Sequence, residues 1–196
     1  HGFALEFAAP ALRADREVAL AALFSSARAL EFVARGLLAD RDVLLAALRS
    51  DRYDPDERVL ALAPQVMRAD RGVMLDAIKV RPEAFRYAAA CLLRDAAFVH
   101  EALRWNGMAL KRAPPRIQAD REAVLVAVQQ NWKALKHAAS SAQSDREVVL
   151  AAVRQDGEAL RFAAPALQGD REVVFEAVRK NGYALAFALE DLRSDR

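Results

Sequence analysis

Three histidines, His1, His100 and His137, are the residues best suited to metal ligation or proton transfer. None has a cysteine or carboxylate partner at metal-ligand spacing. The lone cysteine, Cys91, lies in a Tyr-Ala-Ala-Ala-Cys-Leu-Leu run and is expected to be a small core hydrophobe rather than a nucleophile. No phosphate loop, dinucleotide fingerprint or nucleophile elbow occurs. The many aspartates recur at intervals that suit helix caps, not an acid–base pair. The sequence thus predicts no catalytic residue, no cofactor, no metal site and no small-molecule substrate, and it points away from an enzyme.

Charge offers a second kind of chemistry. Arg86, Lys111, Lys136 and Arg161 recur at one position of successive units, and stacked cations of this kind can track a phosphate backbone. Lys79, Arg104, Arg154 and Arg179 form a second row. Against a nucleic-acid reading, Glu6 and Glu31 take the first row's position in the opening units and Ala186 ends it. Lys and Arg also normally occupy the solvated face of amphipathic helices, and the second row lies near helix C-termini, where cations are favourable. Trp105 and Trp132 fall near the same inter-helix turn of adjacent units and are candidate partner anchors. Arg112 and His137 stand where Phe162 and Phe187 stand, and His100 stands where Leu150 does, so each is a polar group in an expected core slot.

These residues are positioned by a repeat. Asp15, Asp40, Asp70, Asp95, Asp120, Asp145, Asp170 and Asp195 each open the same phrase, at intervals of 25, 30, 25, 25, 25, 25 and 25 residues. Arg follows all of them except Asp95, where Ala96 stands. The clearest unit is DREVVLAAVRQDGEALRFAAPALQG, from Asp145 to Gly169. Asp is a preferred N-cap, because its carboxylate accepts from free N–H groups of the first turn. Val148, Val149, Ala152 and Val153 then follow helical spacing. Asn-Gly or Asp-Gly closes that helix at Gly107, Gly157 and Gly182, and a left-handed C-cap glycine is expected there. A second short helix is expected over the Ala159-Leu160 and Ala163-Ala164 spacing, ended by prolines such as Pro10, Pro64, Pro114, Pro115 and Pro165. A tight turn should follow, pinned by Leu12, Leu37, Leu92, Ile117, Leu167 and Leu192. Seven places after each opening Asp stands alanine (Ala22, Ala47, Ala77, Ala102, Ala127, Ala152, Ala177), which predicts close approach of neighbouring helices.

A helix pair this short cannot bury its own apolar face, so stacked units must share a core. The expected fold is all-α: an α-solenoid of tandem 25-residue helix–turn–helix repeats, with two helices in each of seven units and a leading helix. It is expected as a single array over residues 1–196, with no natural domain boundary.

The phrase D-R-E-V-V-L-A-A-V-R-x-[ND]-G-x-A-L-x-F-A resembles the repeat of the domain-of-unknown-function family 4116, most strongly from Asp145 to Asp195. The resemblance implies a short-helix repeat array, often embedded in a longer protein, and brings no catalytic residue with it. Alternating long and short helical pieces at a similar period also make the leucine-rich variant repeat a looser geometric analogue.

The sequence starts and stops within a repeat, which suggests a piece of a longer array. The 30-residue interval carries an insertion near Asp51 to Glu57, where Pro55 prevents a continuous helix and a surface loop is expected. Arg81-Pro82 and Asn131-Trp132 replace Asn-Gly, and Pro82 suits the first position of a new helix. With 29 basic and 27 acidic side chains the net charge is +2, and 54% of residues are hydrophobic. This composition excludes a disordered chain, and one cysteine excludes an internal disulfide. No stretch approaches the roughly 20 apolar residues of a membrane span. The lone cysteine suits an intracellular setting, cytoplasmic or organellar. The leading functional expectation is a non-catalytic scaffold for protein partners, or a structural accessory subunit of an assembly. The alternative is an array that binds RNA or another polyanion through Arg86, Lys111, Lys136 and Arg161.

Overall fold

The computed structural model describes residues 2–50 and 58–194. His1, the Asp51–Glu57 insertion with Pro55, and the phrase opening at Asp195-Arg196 lie outside the described residues. Every regular element among the described residues is an α-helix or a 3₁₀ helix. The chain groups into two compact units, His1–Asp95 and Ala96–Arg196.

Unit 2 shows the repeat most regularly. The Asp145 repeat has an α-helix at Arg146–Val153, a 3₁₀ helix at Gly157–Phe162 and a short α-helix at Pro165–Gln168. The Asp120 repeat has the same three pieces at Arg121–Gln130, Trp132–His137 and Ser140–Gln143. The Asp170 repeat has them at Arg171–Lys180, Gly182–Phe187 and Glu190–Ser194. The unit begins with Ala96–Trp105, Gly107–Arg112 and Pro115–Gln118. In unit 1 the half-repeat Gly2–Phe7 and Pro10–Arg13 leads. The Asp15 repeat follows with an α-helix, Arg16–Ser25, and two 3₁₀ helices, Ala27–Phe32 and Arg35–Ala39. The Asp70 repeat spans Arg71–Val80, Pro82–Tyr87 and Ala90–Arg94.

The expected order of helix types is therefore corrected. In unit 2 the middle piece is the 3₁₀ helix and the last piece is α-helical; in the Asp15 repeat the last piece, Arg35–Ala39, is 3₁₀ as expected, and in the Asp40 repeat Arg58–Leu62 and Gln65–Ala69 are both α-helical. Pro10, Pro115 and Pro165 open that last α-helix instead of ending the previous one. Proline is tolerated there because its missing N–H would have no partner in a first turn. A six-residue 3₁₀ run is long for that geometry, so tertiary contacts must hold it. Ala159 and Leu160 are fully buried, and so are their equivalents Ala109, Leu110, Ala134 and Leu135. A glutamine eight residues on also donates back to the middle piece. Gln118, Gln143 and Gln168 reach the carbonyls of Leu110, Leu135 and Leu160 at 3.1, 3.1 and 3.2 Å.

Six of the recurring aspartates cap the first helix of their repeat. The Asp15 carboxylate accepts from the N–H groups of Glu17 and Val18 at 2.9 and 3.0 Å, and Asp40, Asp70, Asp120, Asp145 and Asp170 cap in the same way. The glycine C-caps do not form. No described glycine has a positive φ, and Asn106, Asp156 and Asn181, all extended, cap the 3₁₀ helix through their side chains. Glycine is needed for another reason. A Cβ on Gly157 would collide with the Ala177 carbonyl oxygen of the next repeat, 3.0 Å from that carbonyl's carbon and 3.1 Å from the Ala184 Cβ. Gly107 meets Ala127 in the same way. The recurring alanine and the glycine one repeat earlier are two halves of one close contact. Six of the seven alanines are fully inaccessible, and Ala22 is half-buried.

Three further links join adjacent repeats. The arginine after each cap reaches forward: Arg121 to Asp145 and Glu147, Arg146 to Asp170 and Glu172, Arg16 to Asp40 and Asp42, and Arg71 to Asp95. Beside the interval that carries the insertion, Arg41 pairs with Asp76. Backbone bonds run from Ala139 N–H to the Gln118 carbonyl, from Ala164 to Gln143 and from Leu189 to Gln168, at 2.8–3.0 Å. Gln130 and Gln155 accept from Gly107 and Trp132 N–H at 2.7 and 3.1 Å. The buried side chains of the described residues are entirely apolar.

Candidate functional site

Packing sets which side chains remain for a partner. In the middle 3₁₀ helices Gly107–Arg112, Trp132–His137 and Gly157–Phe162, Ala and Leu at the third and fourth positions turn inward, which leaves the fifth position at the surface. Lys111, Lys136 and Arg161 hold that position in unit 2, and all three are exposed. Arg86 holds it in unit 1 and is also exposed. The sixth position, occupied by Arg112, His137, Phe162 and Phe187, is half-buried throughout, so it is a rim and not a core slot. His100 is likewise half-buried, as are its equivalents Leu125 and Leu150, which corrects its expected core placement. Cys91 is exposed, which corrects its reading as a core hydrophobe. It stands in the first turn of the short Ala90–Arg94 helix, where Leu92 alone turns inward.

The cations differ in their partners. Arg161 donates to Glu158 at 2.8 Å, and its guanidinium lies 5.2 Å from the Phe162 ring and 5.5 Å from the Phe187 ring. Lys111 and Lys136 make no ion pair among the described residues. The two 3₁₀ helices that carry them pack side by side. His137 ends the second of them, and its protonation is held below the usual histidine range by burial first and then by Lys111 and Lys136. Residues 107–118 and 132–143 hold Lys111, Arg112, Arg116, Lys133, Lys136 and His137 and no Asp or Glu. Sequence reading missed Lys133 and Arg116, although the acid-free stretches would have shown them.

Aromatic groups adjoin this face. Trp132 is half-buried, its ring 6.3 Å from Phe162 with a 31° tilt, and the Lys133 ammonium lies 5.5 Å from its centroid. Trp105 is 55% exposed at the end of its helix. Phe175, 66% exposed, and Tyr183, 86% exposed, had no sequence signal beyond replacing Leu150 and Glu158 at their positions. Phe175 lines a shallow open groove with Arg146, Leu150, Arg154, Arg171, Glu172 and Glu176. The second cation row, Lys79 in unit 1 and Arg104, Arg154 and Arg179 in unit 2, is exposed. Arg179 donates to Glu176 and Lys79 to Asp76. No group of three or more metal-ligating side chains converges among the described residues. No helix among them is long and apolar enough to cross a membrane.

No curated protein and no solved structure matches the chain. A family model does match it twice in succession, over residues 97–141 and 143–196. The two segments adjoin, fall within unit 2 and cover just over half of the sequence. The first segment holds the cap Asp120 with the first α-helix and the 3₁₀ helix of its repeat, the second holds the whole Asp145 and Asp170 repeats, and the chain belongs to the family described as Domain of unknown function (DUF4116).

Proposed function

We propose that the chain is a non-catalytic helical-repeat scaffold that binds protein partners, as an interaction module or a structural accessory subunit of a larger assembly. The observation that carries this reading is the contrast between a repeated core and an unrepeated surface. The same Ala and Val positions are buried in every repeat of unit 2, while Trp105, Phe175 and Tyr183 stand exposed on it. Large exposed aromatics on a regular frame are the usual energetic anchors of protein interfaces. The exposed lone thiol of Cys91 suits a reducing, intracellular setting.

The test is affinity purification of the full-length native protein with and without nuclease, followed by identification of what co-purifies. A defined protein set that survives nuclease, and is lost with Trp105→Ser combined with Phe175→Ser, supports the scaffold. Recovery of RNA, with loss of partners after nuclease, overturns it. The basic face of unit 2 favours that second reading, binding of RNA or another polyanion along Lys111, Lys136 and Arg161.

A further inference from the structure

We propose that the 3₁₀-helix face of unit 2 binds single-stranded nucleic acid, with Lys111 and Lys136 taking phosphates and Trp132 stacking a base. The inference rests on the polyanion reading and adds the class of polyanion and the residues that select it.

Three observations converge. First, Lys111 and Lys136 stand at one register on adjacent, packed 3₁₀ helices, both exposed and both without an ion pair among the described residues. Elsewhere in the unit Arg121, Arg146, Arg161 and Arg179 are each neutralised by a nearby carboxylate. Here the two stretches that build the face contain no acid of their own. Second, His137 stays within reach of both lysines, and it is these two that hold down its protonation beyond what burial does. An arriving phosphate would relieve that repulsion. Third, an aromatic edge runs beside the cations: Trp132 beneath Lys133, Phe162 against Trp132, and Arg161 over Phe162 and Phe187. Cations interleaved with rings are what a single strand requires, because its backbone needs neutralising and its unpaired bases offer faces for stacking. A duplex hides those faces and an acidic peptide has none, so neither would engage Trp132.

The experiment uses the full chain carrying Trp105→Phe, which leaves Trp132 as the sole tryptophan. An oligouridylate of about twelve nucleotides, within the usual span of single-strand sites, is titrated in at about 50 mM salt, where phosphate binding is strong. The expected result is saturable binding with quenching of Trp132 fluorescence. Lys111→Gln with Lys136→Gln should weaken binding about ten-fold. It should also flatten the salt dependence by about 1.4 in the slope of log K, near 0.7 for each phosphate that is no longer neutralised. Both lysines are exposed, so the variant keeps its fold, which circular dichroism verifies. The His137 ring signals should titrate at higher pH in the complex than in the free chain. Equally tight binding of an RNA duplex or of polyglutamate, without Trp132 quenching, overturns the single-strand inference while the polyanion reading stands. Absence of binding to oligouridylate, duplex and polyglutamate alike overturns both.

Discussion

Replacing Gly157 by alanine tests the contact that joins the repeats. The added methyl would meet the Ala177 carbonyl, 3.0 Å from its carbon and 3.1 Å from the Ala184 Cβ. Two of these three obstacles are main-chain atoms of the next helix, and Ala177 is fully inaccessible. Neither can rotate away, so the Gly157–Phe162 helix must move off Arg171–Lys180. Forcing a methyl into such packing costs about 1–3 kcal/mol. For a chain of this length each kcal/mol corresponds to roughly 2–4 °C in melting temperature, so a fall of about 4–8 °C is expected for a mid-range cost of about 2 kcal/mol. Gly182 is the internal control. It occupies the same register, but the position 20 residues on, which would face it, lies past residue 196, so in this 196-residue chain a Cβ there would meet nothing within 4 Å. Its φ is not in the left-handed region, so Gly182→Ala should be neutral, or stabilising by about 0.4–1 kcal/mol through the unfolded chain. The assay is urea unfolding followed by circular dichroism, together with a thermal melt, on both variants. Equal effects at the two positions would refute the close-approach account. A comparable loss at Gly182 would restore the left-handed cap as the reason for glycine.

Other outcomes follow from the same geometry. Arg146→Met removes links to Asp170 and Glu172; as an exposed pair network it should contribute about 0.5–1 kcal/mol, and the difference from wild type should shrink in about 1 M salt. Acid should unfold the chain through its caps and its ion pairs between repeats. Arg16 holds the Asp40 carboxyl below its usual range, Arg41 holds down Asp76, and the Val173 N–H holds down Asp170. Because the folded state binds these protons less tightly, their stabilisation is complete above the unfolded value near 3.8 and is lost as pH falls through the folded values, which a pH series of urea midpoints will follow. His137 has the same sign at a higher pH: burial, then Lys111 and Lys136, disfavour its proton, so stability should decline as pH falls below its unfolded value near 6.5, and His137→Phe should remove that step. Cys91 should react completely with a thiol reagent in the native state, and protection until urea is added would contradict its exposed position.

The repeat was legible because each of its signals is local. An aspartate every 25 residues states a cap, and the Val-Val-x-x-Ala-Val spacing states a buried face, before any fold is known. The family resemblance rested on the same residues. Proline was less informative. It rules out a helix interior, but it is equally at home at the first position of a new helix, and choosing between the two required the backbone. The candidate cations Lys111, Lys136 and Arg161 were found from their register, which helical periodicity fixes. Their difference was not legible: Arg161 is taken up by Glu158 and two phenylalanines, while Lys111 and Lys136 crowd His137, and the Lys111–His137 approach joins two successive repeats.

The sequence by itself determined that this is an all-α tandem repeat, where each first helix starts, and that its Val-Val-x-x-Ala-Val face is buried, because capping and amphipathic spacing act within about one helical turn or two. Tertiary structure alone decided what the invariant small and charged residues are for. The recurring aspartate read as a cap alone, yet it also receives the arginine of the preceding repeat. Alanine and glycine read as separate signals, yet they are opposite sides of one backbone contact. Both assignments depend on the rise from one repeat to the next. That rise is set by how two helical layers pack, and no single repeat encodes it.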